Sequence, residues 1–462
     1  MPDAPMFAAR AHVALRDIRL GAAVRNVTGQ MVDGRQRAFT DLADPEGVRD
    51  VARAIRYRSV ERLPDLLESW ATHLEARGGQ VHWATDAAEA VTAIREILRR
   101  RGAHFVVKGK SMASEEIHLN EALEDDGVEV LESDLGEFII QLAHESPAHI
   151  IVPAIHKDRN DVSALFTQDA GRPIPPDIPA EAAYARERLR TAFLTADVGI
   201  SGVNFAVADT GSICLVTNEG NGRMVTSVPP VHIAIMGMER IVASWPELDV
   251  MLALLARSAT GQRLTSYTNV ITGPRQADEL DGPEELHVIV LDGGRTRILG
   301  SEFREVLDCI RCGACLNVCP VYRHVGGHAY GSVYPGPIGA VLTPLLHPED
   351  RESRELAHAS SLCGACVEVC PVRIPLVDML LGLRRRDASD VGPVKRAGFS
   401  TWSGLWSSRP GFAFTRIAAS VALPVARRAR GGPGWAGAWL RTRTLPVRTR
   451  RRTGLEKGAR DD

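Results

Sequence analysis

The chain has 462 residues, 45% of them hydrophobic and 24% charged, with a formal net charge of −2. Such a length predicts two or three domains, and such a composition excludes global disorder. No apolar run reaches the roughly 18 residues that a membrane-spanning helix needs, and no secretory signal opens the chain, so a cytoplasmic protein is expected. The small net charge hides an asymmetry: from Lys395 onward 15 Lys and Arg face only 3 acids, while the preceding body is acidic.

Residues 1–65 read as helical and polar, and the stretch RNVTGQMVDGRQRAFTDL within them shows no chemistry of its own. From 66 to 300, apolar runs alternate with helical patterns. HFVVKGKS (104–111), VEVLES (128–133), AHIIVPAI (148–155), SICLVTN (212–218), HIAIMGMERIV (232–242) and LHVIVLDG (286–293) predict strands. SMASEEIHLNEALEDDG and DLGEFIIQLAHE predict helices between them, each with acids in a first turn. Near-continuous apolar strands alternating with helices imply a mainly parallel sheet covered on both faces. The Pro-rich segment 167–182 predicts a connection or extended arm. Composition shifts near Gly300 and near Arg384–Pro393 set off a cysteine-rich region, 301–390, and a basic extension, 391–462.

Seven of the eight cysteines lie between positions 309 and 370. In a reducing compartment so tight a cluster predicts metal ligands rather than disulfides. Cys309, Cys312, Cys315 and Cys319, followed by Pro320, form the C-x₂-C-x₂-C-x₃-C-P run of two-cluster ferredoxins. Three thiolates at this spacing wrap one cluster on a tight loop, and small Gly313 and Ala314 let backbone N–H groups approach its sulfides. Zinc is the weaker alternative, because its sites seldom use three evenly spaced cysteines before C-P. The second run, Ser360, Cys363, Cys366, Cys370 and Pro371, repeats the spacing with serine at the first place. In such runs the fourth cysteine ligates the other cluster. One cluster is thus assigned Cys309, Cys312, Cys315 and Cys370, and the other Cys319, Cys363 and Cys366. [4Fe-4S] is favoured for both. For the second, Ser360 as oxygen ligand, another non-cysteine ligand and a [3Fe-4S] form stay open, and Ser360 is equally readable as a helix N-cap.

Other candidate sites are weaker signals. Lys108-Gly109-Lys110-Ser111 lacks the upstream glycine of a phosphate loop, which excludes nucleotide hydrolysis. Glu115, Glu116 and Glu137 stand near strand ends as candidate general bases or as ordinary helix-start acids. Tight turns at Asp209–Ser212 and Asn218–Arg223 flank a strand and offer an anionic-substrate pocket, with Glu219 on its rim and Arg223 as carboxylate partner. Cys214, inside an apolar strand, reads as core. The basic extension carries Trp402, Trp406, Trp435 and Trp439 and suits either an anionic membrane surface or an acidic partner. Nucleic acid is excluded by the acidic body.

The string CIRCGACLNVCPVYRHVGGHAYGSVYPGPIGAVLTPLL followed by ASSLCGACVEVCPVRIPL resembles the iron–sulfur subunit of bacterial lactate-utilisation systems, the lactate-utilisation protein B family. KGKSMASEEIHLNEALEDDGVEVLESDLGEFIIQL and ADTGSICLVTNEGNGRMVTSVPPVHIAIMG resemble its LUD domain. The resemblance implies an α/β domain of the ribose-phosphate-isomerase and CoA-transferase type, then an α-helical two-cluster ferredoxin-like domain. It implies two partners, a cysteine-rich subunit and a second LUD protein, and a joint oxidation of L-lactate to pyruvate with electrons passed toward the respiratory chain, where the acceptor is quinone-linked. The chain is then an electron-transfer component, not a stand-alone catalyst. The rival reading is a self-sufficient hydroxy-acid oxidoreductase with substrate held in the LUD domain.

Overall fold

The computed structural model describes residues 6–389 and 393–428. Residues 7–65 are mainly helical, as α1 (Phe7–Ala14), α2 (Ile18–Phe39), α3 (Pro45–Glu61) and the start of α4 (Leu63–Glu75). Asp17 and Asp44 cap α2 and α3, their carboxylates accepting the N–H of Leu20 and Gly47. Among the described residues ten strands follow: β1 (Gln80–Ala84), β2 (Phe105–Lys108), β3 (Glu129–Glu132), β4 (Val198–Gly202), β5 (Phe205–Val207), β6 (Ser212–Thr217), β7 (Val231–Gly237), β8 (Ile241–Val242), β9 (Tyr267–Ile271) and β10 (Glu285–Leu291).

Six of them form a parallel sheet in the order β1-β10-β7-β4-β2-β3. Every residue of β7 is buried, as both-face coverage demands of a central strand. The register sets Val198 beside both Val106 and Val231. The remaining four make a smaller mixed sheet, β8-β5-β6-β9. Its β5–β6 hairpin turns at Gly211, where φ is +69° and an added Cβ would sit 2.3 Å from the Leu74 backbone nitrogen. Glycine is required there because α4 crosses the turn, with Trp70 fully buried and its indole N–H donating to the Ser212 carbonyl.

Three expectations are corrected. AHIIVPAI (148–155) is not a strand but a buried loop of bends and turns. It is apolar because it lies against the first cysteine loop: Ala148 accepts the Tyr322 hydroxyl at 2.7 Å, and Ile151 closes on Gly313. HIAIMGMERIV breaks after Gly237, so its two halves, β7 and β8, join different sheets. The Pro-rich connection shrinks to residues 171–177, between the helices Arg159–Ala170 and Ile178–Thr195.

From Arg304 onward the described chain is helical, in short pieces around the cysteines and then longer ones. The described residues up to Arg386 make one compact unit, in which α2 and α3 pack on the cysteine region. The second unit holds two mutually packed helices, Pro393–Ser407 and Arg409–Arg428. Trp435 and Trp439 lie outside the described residues.

Candidate iron–sulfur site and an adjoining cavity

Each cysteine run folds as the same loop. Arg311 and Leu362, both at left-handed φ (+59° and +57°), follow the first position of their runs by two residues. Gly313 and Gly364, at +73° and +88°, then start the short helices Ala314–Val318 and Ala365–Val369. The amide of Arg311 donates to Cys309 Sγ at 3.4 Å, and the amide of Leu362 donates to Ser360 Oγ at 3.1 Å. Ser360 therefore occupies the place in its loop that Cys309 holds in the other. The helix N-cap reading of Ser360 is corrected: the helix after it is capped by Gly364, and the hydroxyl instead ties a turn.

The two loops interleave. Cys309, Cys312, Cys315 and Cys370 line one small hollow, closed by Ile150, Ile338 and Ile374. Cys319, Cys363 and Cys366 are electrostatic neighbours of one another, and Cys315 lies within reach of Cys366. Burial, with a smaller contribution from neighbouring sulfurs, pushes the thiols of Cys312 and Cys366 up to about 12 and that of Cys370 up to about 11. Thiolates at such sites need a positive centre to offset burial, and iron supplies one. Backbone amides already aim at the sulfurs: Ala314 at Cys312, Val321 and Tyr322 at Cys319, Val372 and Ile374 at Cys370. The buried Tyr330 hydroxyl lies close enough to Cys319 to interact electrostatically with its sulfur. Four converging thiols, an apolar hollow and N–H groups toward sulfur fit an iron–sulfur cluster. Cys214 sits apart in β6, opposite Phe205, as a core residue.

Residues 67–291 match the LUD domain family, and residues 305–374 match the 4Fe-4S dicluster domain family. "Lactate utilization protein B" of Shouchella clausii is 45% identical, over 97% of this chain and 96% of its own. Proteins of the same name from Oceanobacillus iheyensis (46%, covering 92% and 90%) and an Exiguobacterium species (51%, covering 82% and 81%) are similarly close. The chain belongs to the lactate utilisation protein B family. The dicluster match makes it an iron–sulfur protein.

What holds the loops of this family member in place was not visible in its sequence. Arginines from distant elements donate to loop carbonyls. Arg49 reaches Glu368 (2.6 Å) and Cys370 (2.8 Å), and Arg35 reaches Val369 (3.0 Å). Arg56 reaches Leu307 and Asp308, Arg240 reaches Cys309 (2.8 Å), and Arg384 reaches Ser360 (2.8 Å). Arg35 comes from the very stretch that shows no chemistry when read alone. His149 adds a neutral clasp. Its Nδ1 accepts the amides of Ile151 and Val152, so Nε2–H donates to Asn317 Oδ1 at 3.1 Å. Burial pushes its pKa down to about 4.

A second, larger cavity of about 300 Å³ opens at the carboxyl ends of β2, β4 and β7, where open α/β sheets bind ligands. Of the predicted substrate-pocket residues only Glu219 lines it. Glu115 is ion-paired with buried Lys108 at 2.9 Å, which also meets Glu132 at 2.7 Å. Glu116 is locked by Arg295 and the Tyr334 hydroxyl. Glu137 is buried outside the lining, and burial pushes it up to about 8. The role given to Arg223 is corrected: its side chain is exposed on the helix Asn221–Ser227 and does not line the cavity. The cavity's cations are Lys110, Arg240, Arg295 and Arg311, and the last of these belongs to the first cysteine loop.

Proposed function

We propose that the chain is the electron-transfer subunit of a complex that oxidises L-lactate to pyruvate and passes electrons toward the respiratory chain. The observation that carries this reading is the pairing of two interleaved loops, which bring seven thiols into two adjoining sets within one packed unit. When bound, iron–sulfur clusters supply single-electron transfer at potentials that the surrounding protein tunes. Cys309, Cys312, Cys315 and Cys370 are assigned to one [4Fe-4S] cluster, and Cys319, Cys363 and Cys366 to a second. Ser360 is proposed to complete the second set through its oxygen. Backbone amides aimed at Cys309, Cys312, Cys319, Cys366 and Cys370 favour the charged, ligating form against the burial that opposes it.

The substrate assignment is supported by the name shared by the relatives, "Lactate utilization protein B". A cysteine-rich subunit and a second LUD protein are the partners proposed. Among the described residues no helix is long and apolar enough to cross a membrane. The exposed Trp402 and Trp406 of the second unit, among basic residues, are read as a peripheral contact with an anionic membrane surface near a quinone-linked acceptor.

Anaerobic purification with iron and sulfide counts, followed by electron paramagnetic resonance of oxidised and reduced samples, tests the reading. Two clusters that cycle reversibly are expected. A colourless protein holding zinc, or a cluster that never changes oxidation state, overturns it.

A further inference from the structure

The large cavity and the cysteine hollow share walls: Ile150 and Arg311 line both. Whatever fills the cavity therefore lies one side chain away from the sulfur of Cys309, to which the Arg311 amide donates. The volume of about 300 Å³ is that of a compact small-molecule site.

The charges around it are unequally engaged. Arg240 is committed to the carbonyls of Cys309 and Ile310, and Arg295 to Glu239 and Glu116. Arg311 gives one nitrogen to Glu239 at 3.2 Å, while its Nη1 is buried without a hydrogen-bond partner. Among the described residues, the Lys110 ammonium has no ion pair or hydrogen bond at contact distance, although it lines the cavity. The acids that feel Lys110 do not cancel it. Burial raises Glu219 as well as Glu137, and Asp134 raises Glu219 further. The Asp134 carboxylate is occupied as the cap of the helix Leu135–Leu142, accepting the Glu137 amide. The unpaired Lys110 ammonium and the free Nη1 of Arg311, beside Glu219 and Glu137 that burial pushes toward the neutral form, select an anion, and the surrounding Met112, Val203 and Leu255 select an organic one.

We propose that this cavity binds a small organic carboxylate of the 2-hydroxy or 2-oxo acid class, held by Lys110 and Arg311, and that the Cys309 loop senses its occupancy. The preference for an anion rests on the cavity itself, whereas the choice of acid rests on the lactate-oxidation reading above. Lys110 anchors the carboxylate. Arg311 links it to the cysteine loop through its own backbone amide, so that a bound anion changes the field at Cys309.

The test uses the full chain, purified anaerobically, with iron and sulfide counted in each preparation. L-lactate, pyruvate and inorganic phosphate are titrated calorimetrically into the wild type, Lys110→Gln and Lys110→Arg, and the reduced protein's paramagnetic spectrum is recorded with and without pyruvate. Lactate or pyruvate should bind the wild type. Lys110→Gln should weaken binding by about tenfold or more, the worth of one charge-assisted hydrogen bond, with Lys110→Arg largely restoring it. Pyruvate should shift the spectrum of one cluster and leave the other unmoved. Iron-loaded wild type that binds neither acid, Lys110→Gln that binds as well as wild type, phosphate binding in place of the acids, or an unmoved spectrum each overturns the proposal. Preparations without iron overturn the carrier reading instead, and the calorimetry then decides the cavity alone.

Discussion

Ser360 Oγ accepts an amide from two residues on, with the following residues in the same left-handed turns as those after Cys309. A thiol placed there has the backbone of a ligand already around it. Ser360→Cys is therefore expected to fold normally and to give the second cluster a fourth thiolate. Its paramagnetic spectrum should change and its midpoint potential should fall, while the first cluster stays as it was; an unchanged second cluster would place its fourth ligand elsewhere. His149 gives a second residue-level expectation. Its folded pKa is about 4 against an ordinary 6.5, because charging it in the core is costly and would break its two amide contacts. A lowered histidine pKa means that the unfolded chain takes up the proton first. Stability from this group is thus complete above about pH 6.5 and declines as pH falls toward 4, by up to about 3 kcal/mol. Melting curves between pH 7 and pH 4.5 should fall less steeply for His149→Gln than for wild type.

At the scale of elements, α2 and α3 act as a brace for the cysteine loops. Arg49 is buried and closes the carbonyls of Glu368 and Cys370. Arg49→Met removes the side-chain donor from both carbonyls, leaving that of Cys370 with the Arg373 amide, and should cost roughly 2 kcal/mol, read as a lower melting temperature and faster loss of iron. Arg53→Ala on the same helix, whose pairing with Glu305 is half exposed, should cost less than about 1 kcal/mol. The contrast explains what the sequence made legible. Cysteine spacing is local and chemically narrow, so the loops could be read directly, as could the parallel strands β2, β3, β7 and β10 from their apolar runs. An arginine that meets a carbonyl over 300 positions away leaves no local trace, so Arg35 and Arg49 were invisible. The run AHIIVPAI misled for a related reason: an apolar stretch without periodicity is equally a strand or a buried loop, and only its neighbours decide. The cavity was legible only at the Asn218–Gly222 turn with Glu219, because the rest of it is assembled from the ends of separate strands and a cysteine loop, whereas the nearby Arg223 faces solvent.

Across the whole molecule, charge and aromatic surface divide along the chain. An acidic body carries the sheet and the cysteine loops, and the basic end carries helices whose large side chains face water. Trp402 is 56% exposed and Trp406 50%, and they stack at 5.6 Å. Phe399, Phe414 and Ile417 are exposed as well. Exposed apolar groups in such number need a cover. Aromatic rings with flanking Arg and Lys suit the interface of an anionic bilayer, where the rings enter the headgroup layer and the cations meet lipid charge. The full-length protein should therefore sediment with anionic vesicles, less with neutral ones, and much less at about 0.5 M salt, where screening shortens the electrostatic reach. The double variant Trp402→Ser, Trp406→Ser removes apolar area without altering charge. It should weaken vesicle binding by roughly tenfold or more while leaving the iron content intact. Equal binding to neutral and anionic vesicles would remove the electrostatic half of the argument. Undiminished binding by the double variant would remove the aromatic half and turn the basic surface toward an acidic protein partner instead.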